Sequence, residues 1–291
     1  MTRSLAAETR RLISQLGLRA RKSLGQHFLV DGRVLQRIVS AAELAPEDTV
    51  VEVGPGLGIL TRELARRVRR VITVEADRAM ASALREIVGD MTNVEVVEAD
   101  IMETDPASLL GGEGAGGEYP SYKVVANIPY YITSPILRHF LEGSARPSML
   151  VVMVQKEVGE AITARSGQMS ILAVSVQFYG EPAIVGRVSA RSFYPAPKVD
   201  SVVLRIRVRG QPAVEVCDSG KFFAVVRAGF SAPRKQLRNS LAQGLGVSGQ
   251  RSGEILERAG IDPRARAETL TLEDWARLTE EMIHDETGVR G

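Results

Sequence analysis

The feature that most constrains the fold is the segment from Val50 to Leu60, VVEVGPGLGIL. It begins with a short apolar run rich in β-branched residues, which is typical of a buried strand. Gly54, Gly56 and Gly58 follow, and a run with helical spacing begins after them. A strand, a glycine turn and a helix in this order predict the opening unit of a nucleotide-binding α/β domain.

The spacing of the glycines limits which ligand this turn can bind. A dinucleotide fingerprint requires glycine at the sixth position of G-x-G-x-x-G, where this chain has Ile59. A phosphate-binding P-loop requires a Lys-Ser or Lys-Thr pair, and none follows the turn. A small cationic nucleoside such as S-adenosylmethionine is the candidate that remains, and a tight turn without a ligand is an equally open interpretation.

Length and composition describe a globular protein of one large or two ordinary domains. The chain has 291 residues, of which 44% are hydrophobic and 25% are charged, so a sizeable core can be buried. The single cysteine, Cys217, excludes an internal disulfide and fits a reducing compartment. No apolar run approaches the length of a membrane span, and the first 20 residues lack a secretory signal. We therefore expect a cytoplasmic protein without a membrane segment, and we expect a monomer.

Positive charge is concentrated in two segments of a chain whose net charge is only +2. Residues 1–37 contain eight Lys or Arg against two Asp or Glu, and residues 187–238 contain eleven against three. The rest of the chain is therefore acidic. Local clustering of this kind is typical of a face that binds a polyanion, and it favours a nucleic-acid partner over two merely solvated surfaces.

Two acidic residues stand where predicted strands end. The strand predicted at 71–75 ends in Glu75, about 20 residues after the glycine turn, where a carboxylate accepts hydrogen bonds from ribose hydroxyls. The strand predicted at 94–97 is followed by Asp100, which we expect at the same edge of the sheet. A carboxylate at that place can accept a hydrogen bond from the exocyclic amine of adenine.

The remaining sequence separates into a sheet-forming part and a helical part. Further strands are predicted at 50–53, 122–126 and 149–154, and two late apolar segments lie at 170–179 and 201–208. From residue 221 onward only helical spacing remains. The domain boundaries that we predict are a tail over 1–20, an α/β domain over 21–209 and a helical domain over 210–291.

The predicted helical domain contains a basic helix. Ser231 is placed to cap it and Pro233 to lie in its first turn. Arg234, Lys235 and Arg238 would then lie on this helix.

The run Asn127-Ile128-Pro129-Tyr130 follows the fourth predicted strand and indicates chemistry on an amine. The lone pair of the exocyclic nitrogen of adenine is conjugated into the ring, so this nitrogen is a poor nucleophile. The side-chain oxygen of Asn127 and a backbone carbonyl fixed by Pro129 can accept its hydrogens, and Tyr130 offers an extruded base a flat surface. The alternative is that Asn127 caps a turn while the other residues pack. The acids at neighbouring strand ends favour the chemical interpretation.

Five segments together resemble one family, the KsgA-type small-subunit ribosomal RNA adenine dimethyltransferases. They are KSLGQHFL at 22–29, VEVGPGLG at 51–58, NIPYYITSP at 127–135, FYPAPKVDS at 193–201 and RKQLRNSL at 234–241. The resemblance implies a Rossmann-like α/β fold that uses S-adenosylmethionine, with a seven-stranded, mostly parallel sheet whose last strand is antiparallel. It also implies a small C-terminal helical domain.

The activity that the resemblance implies is the dimethylation of ribosomal RNA. S-adenosylmethionine would donate two methyl groups to N6 of each of two adjacent adenines. These adenines would lie in the hairpin loop near the 3′ end of 16S rRNA in the 30S particle. The protein would thereby take part in the biogenesis of the small subunit.

The resemblance also implies a role for each matching residue. The residues that would contact the cofactor are His27, Leu29, Gly54, Glu75, Asp100 and Asn127. The residues that would act on the target base are Asn127, Pro129, Tyr130 and Phe193. The residues that would bind phosphates are Arg234, Lys235 and Arg238.

Phe193 and His27 carry separate expectations. Phe193 would stack on the flipped base, and its Pro-rich surroundings predict an exposed loop. The family often has Asn where this chain has His27, which leaves the geometry of that contact open. No metal is expected, because His139 and His284 are not at metal-ligand spacing with His27.

Three alternatives to this activity stay open at the level of sequence. A related resistance-type methyltransferase acting on large-subunit rRNA shares the Asn-Ile-Pro-Tyr core. The run from Tyr130 to Pro135 and the basic helix favour the small-subunit type over it. A DNA adenine methyltransferase is disfavoured because such enzymes usually carry an acidic or Pro-Pro version of this run. An RNA-binding assembly factor without turnover is disfavoured by the presence of Asn127, Glu75 and Asp100.

Overall fold

A computed structural model describes residues 5–15, 27–112 and 119–288, with side chains described up to residue 285. The tail residues 1–4 and 16–20, the KSLGQ part of the first resembling segment and residues 113–118 lie outside these ranges. The chain forms two compact units. The first comprises Met1–Gly159 and Glu181–Val208, and the second comprises Glu160–Gly180 and Arg209–Gly291.

The first unit is built on a seven-stranded sheet. Its strands are β2 Thr49–Val53, β3 Arg70–Glu75, β4 Val94–Glu98, β5 Lys123–Asn127, β6 Met149–Gln155, β7 Gly180–Val188 and β9 Ser201–Val208. Their order is β4-β3-β2-β5-β6-β9-β7, with β2 to β6 parallel and β9 antiparallel to β6. Two short strands, β1 Phe28–Leu29 and β8 Phe193–Tyr194, form a separate antiparallel pair. The predicted mostly parallel sheet with an antiparallel last strand is therefore confirmed.

Twelve helices are present among the described residues. Those that begin in the first unit are α1 Leu5–Gln15, α2 Gly32–Ala41, α3 Ile59–Ala65, α4 Arg78–Ile87, α5 Pro106–Leu109, α6 Thr133–Glu142 and α7 Lys156–Ile162. Those of the second unit are α8 Ile171–Tyr179, α9 Ser219–Gly229, α10 Leu237–Leu245, α11 Gly249–Arg258 and α12 Leu272–Gly288. Short 3₁₀ turns lie at Ile101–Glu103, Tyr130–Ile132, Ala190–Ser192 and Ala267–Thr269.

Central strands are buried along their whole length, which explains their continuous apolar sequences. Every residue of β2 is buried, and so are the first six residues of β6. Parallel strands covered on both faces have no solvated side and so show no alternation of polar residues. The chain leaves β2 toward β3 and β4, then returns to pair β5 with the other edge of β2. This reversal lies at the carboxyl ends of β2 and β5, where open α/β sheets form a ligand crevice.

The apolar segment 170–179 does not supply the seventh strand. It forms the helix α8, capped by Ser170, whose side chain accepts from the N–H of Ala173. The seventh strand is β7, which follows directly and has mostly exposed side chains. Burial on nearly all sides gives α8 a continuous apolar sequence, and such a sequence cannot be distinguished from a buried strand by its period alone.

The segment 160–180 belongs to the second unit, whereas the predicted α/β domain ran without a break to residue 209. An aromatic cluster explains this placement. The ring of Phe178 stacks on Phe222 at 4.7 Å and meets Phe223 edge-on at 5.2 Å. Rings of this kind gain more from each other than from burial alone. A helix early in the sequence therefore completes the core of the later helices.

The basic segment of the second unit begins its helix later than predicted. Ser231 does not cap a helix, and its hydroxyl donates to the carbonyl of Ser240 instead. Helix α10 starts only at Leu237, so Arg234 and Lys235 lie in the preceding turn. Residues 232–235 form a turn instead, in which the N–H of Lys235 donates to the carbonyl of Ala232.

Within the described ranges, no helix is both long enough and apolar enough to cross a membrane.

At Gly58, both the backbone conformation and the packing require glycine. Its φ is +68°, and a Cβ there would lie 2.7 Å from Cδ1 of Leu84. We expect Gly58→Ala to destabilise the protein by about 1–3 kcal/mol, because a left-handed alanine is strained. Gly32→Ala is the matched control, since no atom lies within 4 Å of its added Cβ. Thermal unfolding measures both, and equal melting temperatures for the two variants would contradict this account.

Candidate active site

One cavity of about 860 Å³ lies at the carboxyl ends of the parallel strands. A cavity of this size is typical of a site for a small molecule. It is lined by most of the residues singled out from sequence: His27, Leu29, Gly54, Glu75, Asp100, Asn127, Pro129 and Tyr130. The strand ends and the connections after them thus bring these residues to one place, although they are spread over about a hundred positions of sequence.

The glycine turn forms one wall of the cavity. Gly54, Gly56 and Gly58 all have positive φ, at +65°, +55° and +68°. The N–H of Gly54 donates to the carbonyl of Val74, which ties the turn to the neighbouring strand. A Cβ at Gly56 would lie 3.2 Å from the ring of Phe28. Because glycine has no side chain, the backbone of the turn can line the cavity while it lies close to Val74 and Phe28.

Glu75 stands at the end of β3 and faces the glycine turn. Its carboxylate accepts the N–H of Asp77 at 3.0 Å and is also bonded to the backbone of Gly56 and Ala76. Burial raises the pKa of Glu75, and these backbone donors offset part of that rise. The side chain is 9% exposed. The acid that the sequence placed at this strand end is therefore held rigidly in the cavity wall.

Asp100 follows β4 and is exposed at the cavity. Its Oδ1 accepts the N–H of Met102 and so caps the 3₁₀ turn at 101–103. One carboxylate oxygen thus holds the local backbone, while the second is available to a ligand. Met102 also lines the cavity beside it.

Asn127 is oriented by a chain of hydrogen bonds. Its Nδ2 donates to the backbone carbonyl of His27 at 3.0 Å, and Nδ1 of His27 donates to the carbonyl of Pro195 at 2.7 Å. Carbonyl groups only accept, so Nδ1 of His27 carries a hydrogen and Asn127 keeps its Oδ1 as an acceptor. The cavity therefore contains an amide oxygen whose orientation is set by its own amino group.

Tyr130 is held on both its ring and its hydroxyl group. The ring stacks on His27 with centroids 5.9 Å apart, and the hydroxyl is 2.6 Å from Oγ of Ser201. Burial raises the pKa of the Tyr130 hydroxyl, which keeps it neutral. The carbonyl of Pro129 accepts the N–H of Ile132 and closes the 3₁₀ turn. Tyr130 is thus a fixed aromatic wall.

Phe193 is not where the sequence predicted it. We expected an exposed ring at the site, but the side chain is 3% exposed and packs in the hydrophobic core beside Leu29. It is not among the residues that line the cavity. Pairing of β8 with β1 turns Phe193 inward and its neighbour Tyr194 outward, because successive side chains of a strand alternate. Tyr194 is 43% exposed and Tyr131, which lines the cavity, is 63% exposed.

Glu52 is a cavity residue to which the sequence analysis assigned no role. It lies within β2, is 2% exposed and accepts the hydroxyl of Thr61 at 2.6 Å. Burial raises its pKa to about 8, and the nearby Glu75 carboxylate adds to the effect. The sequence does contain a sign of this residue, because an acid stands in the middle of an otherwise apolar predicted strand. Acidic side chains are almost never fully buried unless they are paired.

The three basic residues predicted to bind phosphates lie close together in the second unit. Arg234 and Lys235 are in the turn before α10, and Arg238 is in its first turn, all of them exposed. Nζ of Lys235 lies 3.2 Å from Oε1 of Gln243. Among the residues whose positions are described, no three His, Cys, Asp or Glu side chains are grouped as ligands for a metal.

Comparison with known proteins places this chain among ribosomal RNA methyltransferases. Residues 17–284 match the family model described as ribosomal RNA adenine dimethylase. The chain is 47% identical over 277 residues to ribosomal RNA small subunit methyltransferase A of Dehalococcoides mccartyi, covering 95% of this chain and 93% of that protein. It is 48% identical over 277 residues to the protein of the same name from Moorella thermoacetica, covering 94% and 96%.

Two solved structures share the fold. The 23S rRNA methyltransferase ErmE superposes with a TM-score of 0.67 at 33% identity, covering 88% of this chain and 99% of that one. A dimethyladenosine transferase from Plasmodium falciparum superposes with a TM-score of 0.72 at 24% identity, covering 90% and 98%.

A seven-stranded sheet with an antiparallel last strand, and a cavity at its switch point, define a Rossmann-like methyltransferase with added helices. The sequence match is more specific than the fold. The chain belongs to the ribosomal RNA adenine dimethylase family.

The raised pKa of Glu52 predicts a pH dependence of stability without any ligand. The folded-state pKa of Glu52 lies above the usual value of 4.5, so its contribution to stability is full below about pH 4.5 and is lost as pH rises through about 8. The melting temperature of the wild type should therefore fall relative to that of Glu52→Gln between pH 6 and pH 9. Glu86→Gln, at an exposed position, is the control and should follow the wild type. Parallel curves for wild type and Glu52→Gln would contradict the prediction.

Proposed function

We propose that this protein transfers methyl groups from S-adenosylmethionine to N6 of two adjacent adenines in the 3′-terminal hairpin loop of 16S rRNA. We further propose that it acts in the cytoplasm, as a monomer, on the 30S particle during its biogenesis. The observation that carries the proposal is Asn127, whose Nδ2 is bonded to the carbonyl of His27 and whose Oδ1 is left to accept a hydrogen. It does so in the wall of a cavity that also contains Glu75 and Asp100.

The cavity residues fit the chemistry of the proposed methyl donor. Glu75 offers carboxylate oxygens at the end of the second strand of the nucleotide-binding unit, where ribose hydroxyls are bound. Asp100 has an oxygen available for the adenine amine of the donor, and Leu29 contributes apolar surface. When bound, the donor would supply an electrophilic methyl group attached to a sulfonium.

The protein groups would make the target amine reactive by position and polarity. Ile128 also lines the cavity, and its backbone carbonyl and Oδ1 of Asn127 would accept the N6 hydrogens. These hydrogen bonds would weaken the conjugation of the N6 lone pair with the ring. The ring of Tyr130 would stack on the flipped base. A general base is not needed before attack, because the alkylated nitrogen is acidic and loses its proton afterwards. The rate enhancement would rest on orientation and electrostatic stabilisation.

Two observations support ribosomal RNA of the small subunit as the substrate. The relatives named for the small subunit are 47% and 48% identical over nearly the whole chain, whereas the 23S rRNA methyltransferase ErmE is 33% identical. In the second unit, Arg234, Lys235 and Arg238 form an exposed basic group suited to phosphates. These residues would fix the RNA without reading its sequence.

The deciding experiment uses unmethylated 30S particles and 23S rRNA with labelled S-adenosylmethionine. Transfer to 30S, with the label mapped to two adjacent adenines as dimethyladenine, is the expected result. Transfer to 23S rRNA alone would assign the protein to the large-subunit type. Binding to 30S without any transfer would make it an assembly factor.

The first variant that tests the mechanism is Asn127→Ala. We expect methyl transfer to fall by about 10²–10³-fold or more, because an interaction with the reacting amine is lost. Asn93→Ala is the matched control: Asn93 donates to the carbonyls of Ala65 and Val68, so its loss should lower the melting temperature but not the rate. Single-turnover methylation of 30S measures both, and full activity of Asn127→Ala would exclude the role of Asn127.

The second variant pair tests RNA binding by the second unit. Arg234→Ala with Lys235→Ala should weaken binding and make the slope of log K against log salt shallower by about 1.4–1.8, since each lost phosphate contact contributes about 0.7–0.9. Binding is measured by filter retention between 50 and 300 mM salt, conditions chosen to span about a sixfold range. An unchanged slope would remove these residues from the interface.

A further inference from the structure

The basic group of the second unit accounts for only part of the positive charge found in the sequence. The segment 1–37 and the first residues of the segment 187–238 belong to the first unit. Three of their basic residues, Arg33, Arg191 and Lys198, are exposed and have no role in the cavity. Their arrangement in the fold therefore decides whether they form one surface.

Hydrogen bonds bring the two segments together. The N–H of Val30 donates to the carbonyl of Ser192 at 2.8 Å, and Oγ of Ser192 donates to Oδ2 of Asp31 at 3.1 Å. Asp31 caps α2, so these bonds join the start of the helix that carries Arg33 to the segment that carries Arg191. Residues far apart in sequence thus contribute to one surface.

The same surface continues along α2. Arg37 lies four residues after Arg33, so both side chains are on one face of the helix. Nη1 of Arg37 donates to the carbonyl of Arg187 on the edge strand β7. We call the surface formed by Arg10, Arg33, Arg37, Arg187, Arg191 and Lys198, the last in the connection between β8 and β9, the basic track.

One end of the basic track borders the cavity. Tyr194 pairs with Phe28, and the next residue, Pro195, accepts the hydrogen bond from His27. Phe28 and His27 both line the cavity. The guanidinium of Arg10 lies 5.7 Å from the centre of the Tyr194 ring, which extends the positive charge to this end.

Two acids in the same segments, Asp31 and Asp200, accept hydrogen bonds from the backbone. Oδ1 of Asp31 accepts the N–H groups of Arg33 and Val34, and Oδ1 of Asp200 accepts the N–H of Ala190. Within the part of the chain that the structure describes, Arg33, Arg191 and Lys198 form no ion pair with a carboxylate. Their charges are thus available to a polyanion outside the chain.

We propose that the basic track binds the phosphates of the RNA strand that leads into the cavity. This proposal rests on the proposed function, because it takes the target to be an RNA base. Arginine guanidinium groups bind phosphate oxygens in a bidentate manner, and such contacts position a strand without reading its sequence. An exposed aromatic ring, Tyr194, stands between the track and the cavity, where an unstacked base next to the target can lie on it.

The experiment replaces two arginines of the track with glutamine, which keeps much of the side-chain length. In Arg33→Gln with Arg191→Gln, the salt slope for binding to unmethylated 30S should become shallower by about 1.4–1.8. The matched control is Arg66→Gln with Arg69→Gln. These two exposed arginines lie between α3 and β3, at the amino end of β3, whereas the cavity lies at the carboxyl ends of the strands. The control should keep the wild-type slope. Isothermal titration with S-adenosylmethionine checks that both variants retain a folded cavity.

The outcomes separate this proposal from the proposed function. An unchanged slope in Arg33→Gln with Arg191→Gln, while the wild type methylates 30S, overturns the basic track and leaves the function intact. A shallower slope with a wild type that transfers no methyl group supports the track and overturns the function. If the first pair fails to fold, Arg33→Gln with Lys198→Gln provides the same comparison, and an unchanged slope there also overturns the track.

Discussion

The parallel pairing of β2 with β5 is the constraint on which the rest of the structure depends. Val50 and Val51 pair with Lys123 and Val124, while β3 and β4 extend the sheet on the other side. The connections that follow β2 and β5 therefore leave the same edge of the sheet in different directions. The glycine turn and the segment after Asn127 therefore line one cavity, with Gly54 and Pro129 as neighbours. Without this pairing, Glu75, Asp100 and Asn127 would not line one cavity.

Much of this site could be predicted because its residues stand at the ends of apolar strands. The strands β2 to β6 lie within one residue of the predicted runs, since continuous β-branched sequences have few alternatives once glycine and helical runs bound them. Glu75 ends such a run, Asn127 follows one directly and Asp100 lies three residues after one. Their meeting in one cavity is then a consequence of parallel topology rather than of local sequence.

Other features depend on long-range partners that a single sequence does not display. Phe193 is buried because β8 pairs with β1, more than 160 positions earlier, and the Pro-rich residues beside it carry no sign of that pairing. The segment 170–179 is a helix because Phe178 finds its partner rings on α9. The raised pKa of Glu52 likewise arises from complete burial by elements distant in sequence. In each case, tertiary packing overrides what the propensities and the hydrophobic period of the local sequence indicate.

The amide of Asn127 has a further consequence for the choice of base. One hydrogen of its amino group is committed to the carbonyl of His27, and this bond fixes the amide with Oδ1 left as an acceptor. Under the proposed function, a purine that bears an oxygen in place of the exocyclic amine would bring its lone pairs against those of Oδ1. Mismatched polarity of this kind discriminates more strongly than a difference in size. Guanine would thus be disfavoured at this position by the polarity of its O6.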